Sequence, residues 1–227
     1  MLPDPPLVLA CGDSAFQITF SENIDPISNS KVYQLDRWLN LNPLDGFLET
    51  VPSYSSLLVL YEPTLTSPAK MEAWISRQVK TCSWNQELPT RLIEVPVVYG
   101  GKQGVDLEAL AKTHSLTCEE VIHLHSQVEY KVAMMGFSPG FVYLSGMDEI
   151  LITPRLSSPR MNVPSGSIGI AGDQTGIYSI QSPGGWQLIG RTPLSLFDPQ
   201  NADPFMFSPG DRIRFKPVSL KESGFDA

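Results

Sequence analysis

Glycine and proline are spread unevenly along this chain of 227 residues, and no other feature constrains its fold as much. Ten of the 17 glycines fall between Gly136 and Gly190, with six of the 20 prolines between Pro139 and Pro193. Glycine allows positive φ and close approach of another group, whereas proline freezes φ and removes a donor. Interleaved with short apolar runs, they specify rigid loops on a β scaffold rather than a flexible linker. In Ser167–Ala171 the isoleucines alternate with Ser, Gly and Ala. A strand of period two would put Ile168 and Ile170 into a core and leave the other face almost bare. A bare face suits close approach of a ligand or of other backbone, or a barrel corner that needs glycine to curve.

Charge favours the ligand. The chain carries a formal net charge of −8, yet between Ile150 and Phe197 the charged residues are Arg155, Arg160, Asp173 and Arg191, a local balance of +2. Three arginines without a lysine suit planar, bidentate recognition of a carboxylate or phosphate. The expected site is a small-anion pocket. Arg155 and Arg160 each follow a proline, and Arg191 follows Gly190 at the end of an expected strand. The competing reading pairs one or two of them with Asp148, Glu149, Asp173 or Asp198. Trp186, after Gly184 and Gly185, is either a pocket wall or core.

The first 90 residues read as a small α+β domain suited to assembly or contact. Strands are expected at Leu7–Cys11 and Ala15–Ser21 around the Gly12-Asp13 turn pair, then at Phe47–Val51 and Leu57–Tyr61. Val32, Leu35, Trp38 and Leu39 keep helical spacing within Ile27–Leu41. Ser67-Pro68 offers an N-cap and an N1 proline to a second helix with Met71, Ile75 and Val79 on one face. Cys82 to Thr90 is the candidate linker, so the second domain is placed at residues 91–227. It opens with a strand at Leu92–Tyr99, expected at a sheet edge because of Pro96. Asp106 can cap a helix to about His114, and Thr117 with Glu120 forms a capping box for another. Four acidic residues against one lysine in that stretch argue against a DNA-binding helix-turn-helix. From Val128 to Pro217, short strands and turns imply a mainly-β closed barrel or sandwich.

Other chemistry is thin. A pI near 4.8 argues against a nucleic-acid partner, since no basic stripe could meet the phosphate backbone. No apolar run approaches the roughly 20 residues needed to cross a membrane, and the first residues lack the pattern of a signal peptide. Cys11, Cys82 and Cys118 are too few and too scattered for a disulfide framework or zinc site, which fits a reducing cytoplasm. His123 and His125 are two apart, so on a helix they face different ways, and no third metal ligand accompanies them. His125 is a candidate for proton transfer at the pocket or, equally, a hydrogen-bonded structural histidine. No Walker-type G-x-x-x-x-G-K is present.

These residues also carry a resemblance. Gly136-Phe137-Ser138-Pro139-Gly140-Phe141, Pro154-Arg155, Pro159-Arg160 and Val163-Pro164-Ser165-Gly166-Ser167 resemble a family signature. So do Gln174-Thr175-Gly176 and Ser182-Pro183-Gly184-Gly185-Trp186 through Gly190-Arg191-Thr192. Upstream, His125, Tyr130 and Val132 and the block Gly46–Tyr61 agree with it. The signature is that of the family of bacterial 5-oxoprolinase B subunits, also called KipI-like or allophanate hydrolase subunit 1. Ser138 and Ser165 stand where alanine is usual, and Ser179 where proline is usual. The resemblance implies a small α+β domain followed by a cyclophilin-like barrel. It also implies one component of an ATP-dependent 5-oxoprolinase that opens 5-oxo-L-proline to L-glutamate together with A and C subunits, and is idle alone. ATP would then be shared with a partner, with no metal or biotin on this chain. The expected catalytic residues are His125 and Arg160, with Arg155, Gly140, Gly166, Gln174, Gly185, Trp186 and Arg191 binding substrate. Two alternatives stand beside this: a carboxyl-transfer component of a urea carboxylase, and a KipI-like inhibitor that binds a histidine kinase.

Overall fold

The computed structural model describes residues 6–84 and 90–225, and the chain divides into two compact units, within residues 1–88 and 89–227. The expected linker, Cys82 to Thr90, runs across residues 85–89, which lie outside the described residues. No helix among the described residues is long and apolar enough to cross a membrane.

In the first unit, β1 (Leu7–Ala10), β2 (Ala15–Thr19), β3 (Phe47–Pro52) and β4 (Ser56–Tyr61) form an antiparallel sheet of order β1-β2-β4-β3. Its helices begin where the caps place them. The Asp25 carboxylate accepts the Ile27 and Ser28 amides at 3.0 and 2.8 Å, with Pro26 as the first residue of α1 (Pro26–Leu41). Ser67 caps α2 (Pro68–Thr81) in the same way. Period-two burial of Leu57, Val59 and Tyr61 on β4 meets the helical stripes of Val32, Leu35 and Leu39 and of Met71 and Ile75, closing one core.

The second unit is a closed barrel of seven strands, in the order β10-β7-β6-β13-β5-β12-β9 and back to β10. Along the chain these are β5 (Leu92–Tyr99), β6 (Glu129–Met135), β7 (Val142–Ser145), β9 (Ser167–Ala171), β10 (Gln174–Ile177), β12 (Gln187–Arg191) and β13 (Arg212–Pro217). Helices α3 (Leu107–Thr113) and α4 (Cys118–Ser126) follow β5, and β8 (Arg160–Val163) pairs with β11 (Ser182–Gly184) as a separate ribbon. Thr117 and Glu120 make the expected capping box on α4. Asp106 precedes α3 as expected, but its side chain makes no cap hydrogen bond. Val95, Val97, Val132, Leu144, Ile168, Ile170 and Phe215 fill the barrel.

One expectation about this barrel fails. β5 is an interior strand, paired in parallel with β13 and antiparallel with β12. Pro96 is tolerated because of parity. The carbonyls of Arg91 and Val97 accept from Arg212 and Val218, so odd-numbered residues of β5 turn their backbone groups toward β13. The Pro96 nitrogen therefore faces the other way, where β12 pairs only with Val98 and Tyr99. The missing donor falls just beyond that ladder.

Candidate functional site: an aromatic cleft beside Arg155

The bare face expected on β9 exists, but protein covers it. Gly169 and Gly176 are direct cross-strand partners on β9 and β10. A Cβ on Gly169 would lie 2.9 Å from Trp186 Cβ, and one on Gly176 would lie 2.6 Å from the Val142 carbonyl and 3.1 Å from Trp186 Cζ3. The glycine pair is a seat for the indole. Trp186, 5% exposed, is therefore both core and wall. Around it stand Phe141, with ring centroid 5.5 Å away at 82°, and Tyr143, 5.7 Å away at 64°. Tyr178 meets Phe141 at 5.0 Å and 90°. These edge-to-face arrangements put ring edges against ring faces, each about 0.5–1.5 kcal/mol beyond area burial.

The rings line a cleft of about 340 Å³, completed by Phe137, Arg155, Pro159, Pro183, Gly184 and Gly185. Arg155 is exposed, with its guanidinium carbon 5.9 Å from the Trp186 ring centroid, and it enters no ion pair among the described residues. Burial pushes the phenols of Tyr143 and Tyr178 above their usual pKa, against the pull of the Arg155 charge. Both stay neutral hydrogen-bond donors at physiological pH. A cage of rings would attract a cation, but Arg155 opposes one here. The cleft therefore suits a flat or apolar ring that bears a negative group.

Of the other arginines, neither lines this cleft. Arg160 Nη2 donates to Asp106 Oδ1 at 2.6 Å, and its Nη1 donates to the Trp186 carbonyl at 3.2 Å. Asp106 Oδ2 in turn accepts the Leu188 amide at 2.6 Å. Arg160 is thus a clasp holding the Trp186–Leu188 segment to the start of α3, not the free catalytic cation expected of it. Its partner is not among the four acids proposed from sequence. Arg191 Nε donates to the Ser165 carbonyl at 2.8 Å, and its guanidinium lies 4.9 Å from the Phe225 ring centroid. It holds a turn.

His125 is corrected as well. It is fully buried in the barrel, its ring stacked on Phe215 at 4.6 Å, and it lines no part of the cleft. Nδ1 lies 2.8 Å from the Tyr99 hydroxyl and Nε2 lies 3.0 Å from Thr175 Oγ1. Thr175 donates its one proton to the Gly169 carbonyl. Nε2 must then carry the ring proton and donate to Thr175, leaving Nδ1 to accept from Tyr99. Burial pushes the His125 pKa down from 6.5 to about 3, so the ring is neutral and saturated with partners. Its burial and hydrogen bonds are those of the structural reading.

The remaining expected residues divide. Gly185 lines the cleft. Gly166, at φ +80°, has no room for a Cβ against the Thr192 carbonyl, which makes it a turn glycine. Gly140, at φ +76°, would bring a Cβ within 2.9 Å of Phe197 Cβ, and it borders a second cavity rather than the cleft. Gln174 opens β10 opposite Ala171, away from the lining. Sequence reasoning missed Phe137, Phe141, Tyr143 and Tyr178 as a group. Their signal was present: Phe141 and Tyr143 are two apart leading into and along β7, hence on one face.

The barrel thus carries an aromatic cleft beside an arginine that enters no ion pair among the described residues. The chain belongs to a family whose model, described as the carboxyltransferase domain, subdomain C and D, matches residues 6–207. It is 42% identical over 221 residues to a Bacillus subtilis (strain 168) protein named as the B subunit of 5-oxoprolinase, covering 93% of this chain and 92% of that protein. The protein of the same name from Escherichia coli O157:H7 is 38% identical over 214 residues, covering 91% and 93%. Among solved structures, TTHA0988 superposes with a TM-score of 0.81 at 35% identity, over 90% of this chain and 40% of that longer one.

Proposed function

We propose that the chain is one component of an ATP-dependent 5-oxoprolinase, and that the aromatic cleft holds the ring of 5-oxo-L-proline with its carboxylate on Arg155. The single observation that carries this reading is Arg155, a guanidinium without an ion-pair partner among the described residues, at the rim of a cleft walled by rings. A bidentate guanidinium–carboxylate contact would orient the substrate, each charge-assisted hydrogen bond contributing about 1.5–3 kcal/mol. The flat lactam ring would lie against Trp186 and Phe141, and the neutral hydroxyl of Tyr178 would donate to its carbonyl oxygen. In the overall reaction two waters are consumed, as the ring amide bond breaks to give the new carboxylate and amine and ATP is converted to ADP and phosphate. The names of relatives as B subunits support a role in a multi-subunit complex, for which the resemblance implies A and C subunits as partners. The sequence has no Walker-type motif, so the nucleotide site of this reading is either atypical or shared with a partner. Seven closed strands with flanking helices support the cyclophilin-like reading of the barrel.

The test is co-expression with the expected A and C subunits, then an assay for ATP-dependent release of glutamate from 5-oxo-L-proline. The complete mixture should turn over and the single chain should not. A second reading, carboxyl transfer, is favoured by the family description as a carboxyltransferase domain. Activity of the same mixture only with a carboxylated carrier and a urea-like acceptor would select it.

A further inference from the structure

Phe137 combines an exposed aromatic ring, a costly backbone and a place at the cleft. It is 64% exposed. Its φ is +67°, one of only two positive values at non-glycine positions among the described residues. The Ser138 amide donates to the Gly136 carbonyl at 2.8 Å, so Phe137 is the central residue of a three-residue γ-turn. That turn with positive φ is rare and strained, more so with a bulky side chain. The Ser138 hydroxyl in the same loop is buried with no hydrogen-bond partner among the described residues. Two unfavourable features thus sit side by side in one loop.

The surroundings hold them there. Ser179 Oγ donates to the Pro139 carbonyl at 2.5 Å. Gly140 is packed so closely that a Cβ would lie 2.9 Å from Phe197 Cβ and 3.2 Å from Ser179 Cβ. The loop cannot slide to relieve Phe137. The ring itself reaches the cleft, with its centroid 5.5 Å from Phe141 and 6.4 Å from Tyr178, edge to face in both cases. An exposed, strained phenylalanine gives no stability that would explain its presence, and strain of this kind concentrates at ligand clamps. We propose that Phe137 is the closing wall of the aromatic cleft and determines the size of ring the cleft retains. This rests on the reading of the cleft as the site of a small cyclic carboxylate. The γ-turn aims the ring across the mouth, and a five-membered ring would be enclosed between Phe137, Phe141 and Tyr178.

The test uses the full chain and two variants, F137G and F137L, with binding by calorimetry to 5-oxo-L-proline, its six-membered lactam homologue and benzoate. Glycine adopts φ +67° without strain, so the melting temperature of F137G should stay level or rise, which separates lost binding from lost fold. The wild type should prefer the five-membered lactam. F137G should bind it about tenfold more weakly, the loss expected on withdrawing one ring, and the preference over the six-membered lactam should fall toward one. F137L should lie between. Unchanged affinity and preference in F137G would overturn the proposal and leave the substrate reading intact. Binding of benzoate but not of the lactam, with benzoate weakened in F137G, would overturn the substrate reading and sustain the wall. Failure of the wild type to bind any of the three would overturn the wall, since Phe137 would then close no site.

Discussion

The two faces of the β9–β10 hairpin make an instructive pair. Inward, Thr175 belongs to a chain of hydrogen bonds from Tyr99 through His125 to the Gly169 carbonyl, surrounded by Ile168, Ile170 and Phe215. Outward, Gly169 and Gly176 seat Trp186 and open onto a cleft whose one cation has no ion pair among the described residues. Both faces carry groups that suggest chemistry. They differ in whether those groups have unused capacity. Inside, the acceptors and donors are matched and the histidine is neutral, so the network ties strands of the barrel together. Outside, Arg155 has charge and a fork of donors with no described carboxylate beside them. A titratable residue in a barrel is a weak sign of function; an unspent one at a cavity is stronger.

The inner face should produce the largest effect, and it is a pH effect. The His125 pKa is about 3 when folded and 6.5 when unfolded, so below pH 6.5 the unfolded chain binds the extra proton. The stability it contributes is complete above pH 6.5 and is lost as pH falls toward 3. The loss should approach about 1.4 kcal/mol per pH unit, or about 4–5 kcal/mol in all. Denaturant titrations of the wild type and His125→Phe across this window should differ by that slope. Parallel pH profiles would mean that the ring is not buried neutral.

On the outer face, Trp186→Ala should lower stability by about 3–5 kcal/mol, because the glycine seat cannot collapse into the space. Denaturant melts check this, and a loss under about 1 kcal/mol would make Trp186 a surface wall only. Arg160→Lys should lower stability by about 1 kcal/mol by loosening the clasp on Asp106 and the Trp186 carbonyl. Activity of the assembled enzyme should then follow the folded fraction. Activity abolished at unchanged melting temperature would return Arg160 to the catalytic role expected from sequence.

Local signals are legible in the sequence and distant pairings are not. Ser67 with Pro68 and Thr117 with Glu120 place two helices, because a cap is made within a few residues of itself. The glycines announce close approach, and Gly169 and Gly176 do have something close. That it is an indole rather than a ligand depends on the register of β9 with β10, which composition cannot reveal. Arg160 escapes sequence reasoning for the same reason: Asp106 lies 54 positions away in sequence. His125 is ambiguous until Tyr99 and Thr175 are found on either side of its ring. Pro96 argues for an edge, and only the parity of hydrogen bonding along β5 removes the conflict.

We infer a division of labour among the three arginines, in which Arg155 is held for a ligand while Arg160 and Arg191 are held for the fold. It is tested most directly by Arg155→Lys in the assembled complex, with KM for 5-oxo-L-proline and melting temperature measured on the same preparation. An ammonium keeps the charge but not the fork, so KM should rise by about tenfold or more while the melting temperature stays within a degree or two. An unchanged KM, or a fall in melting temperature that accounts for the lost activity, would contradict the claim.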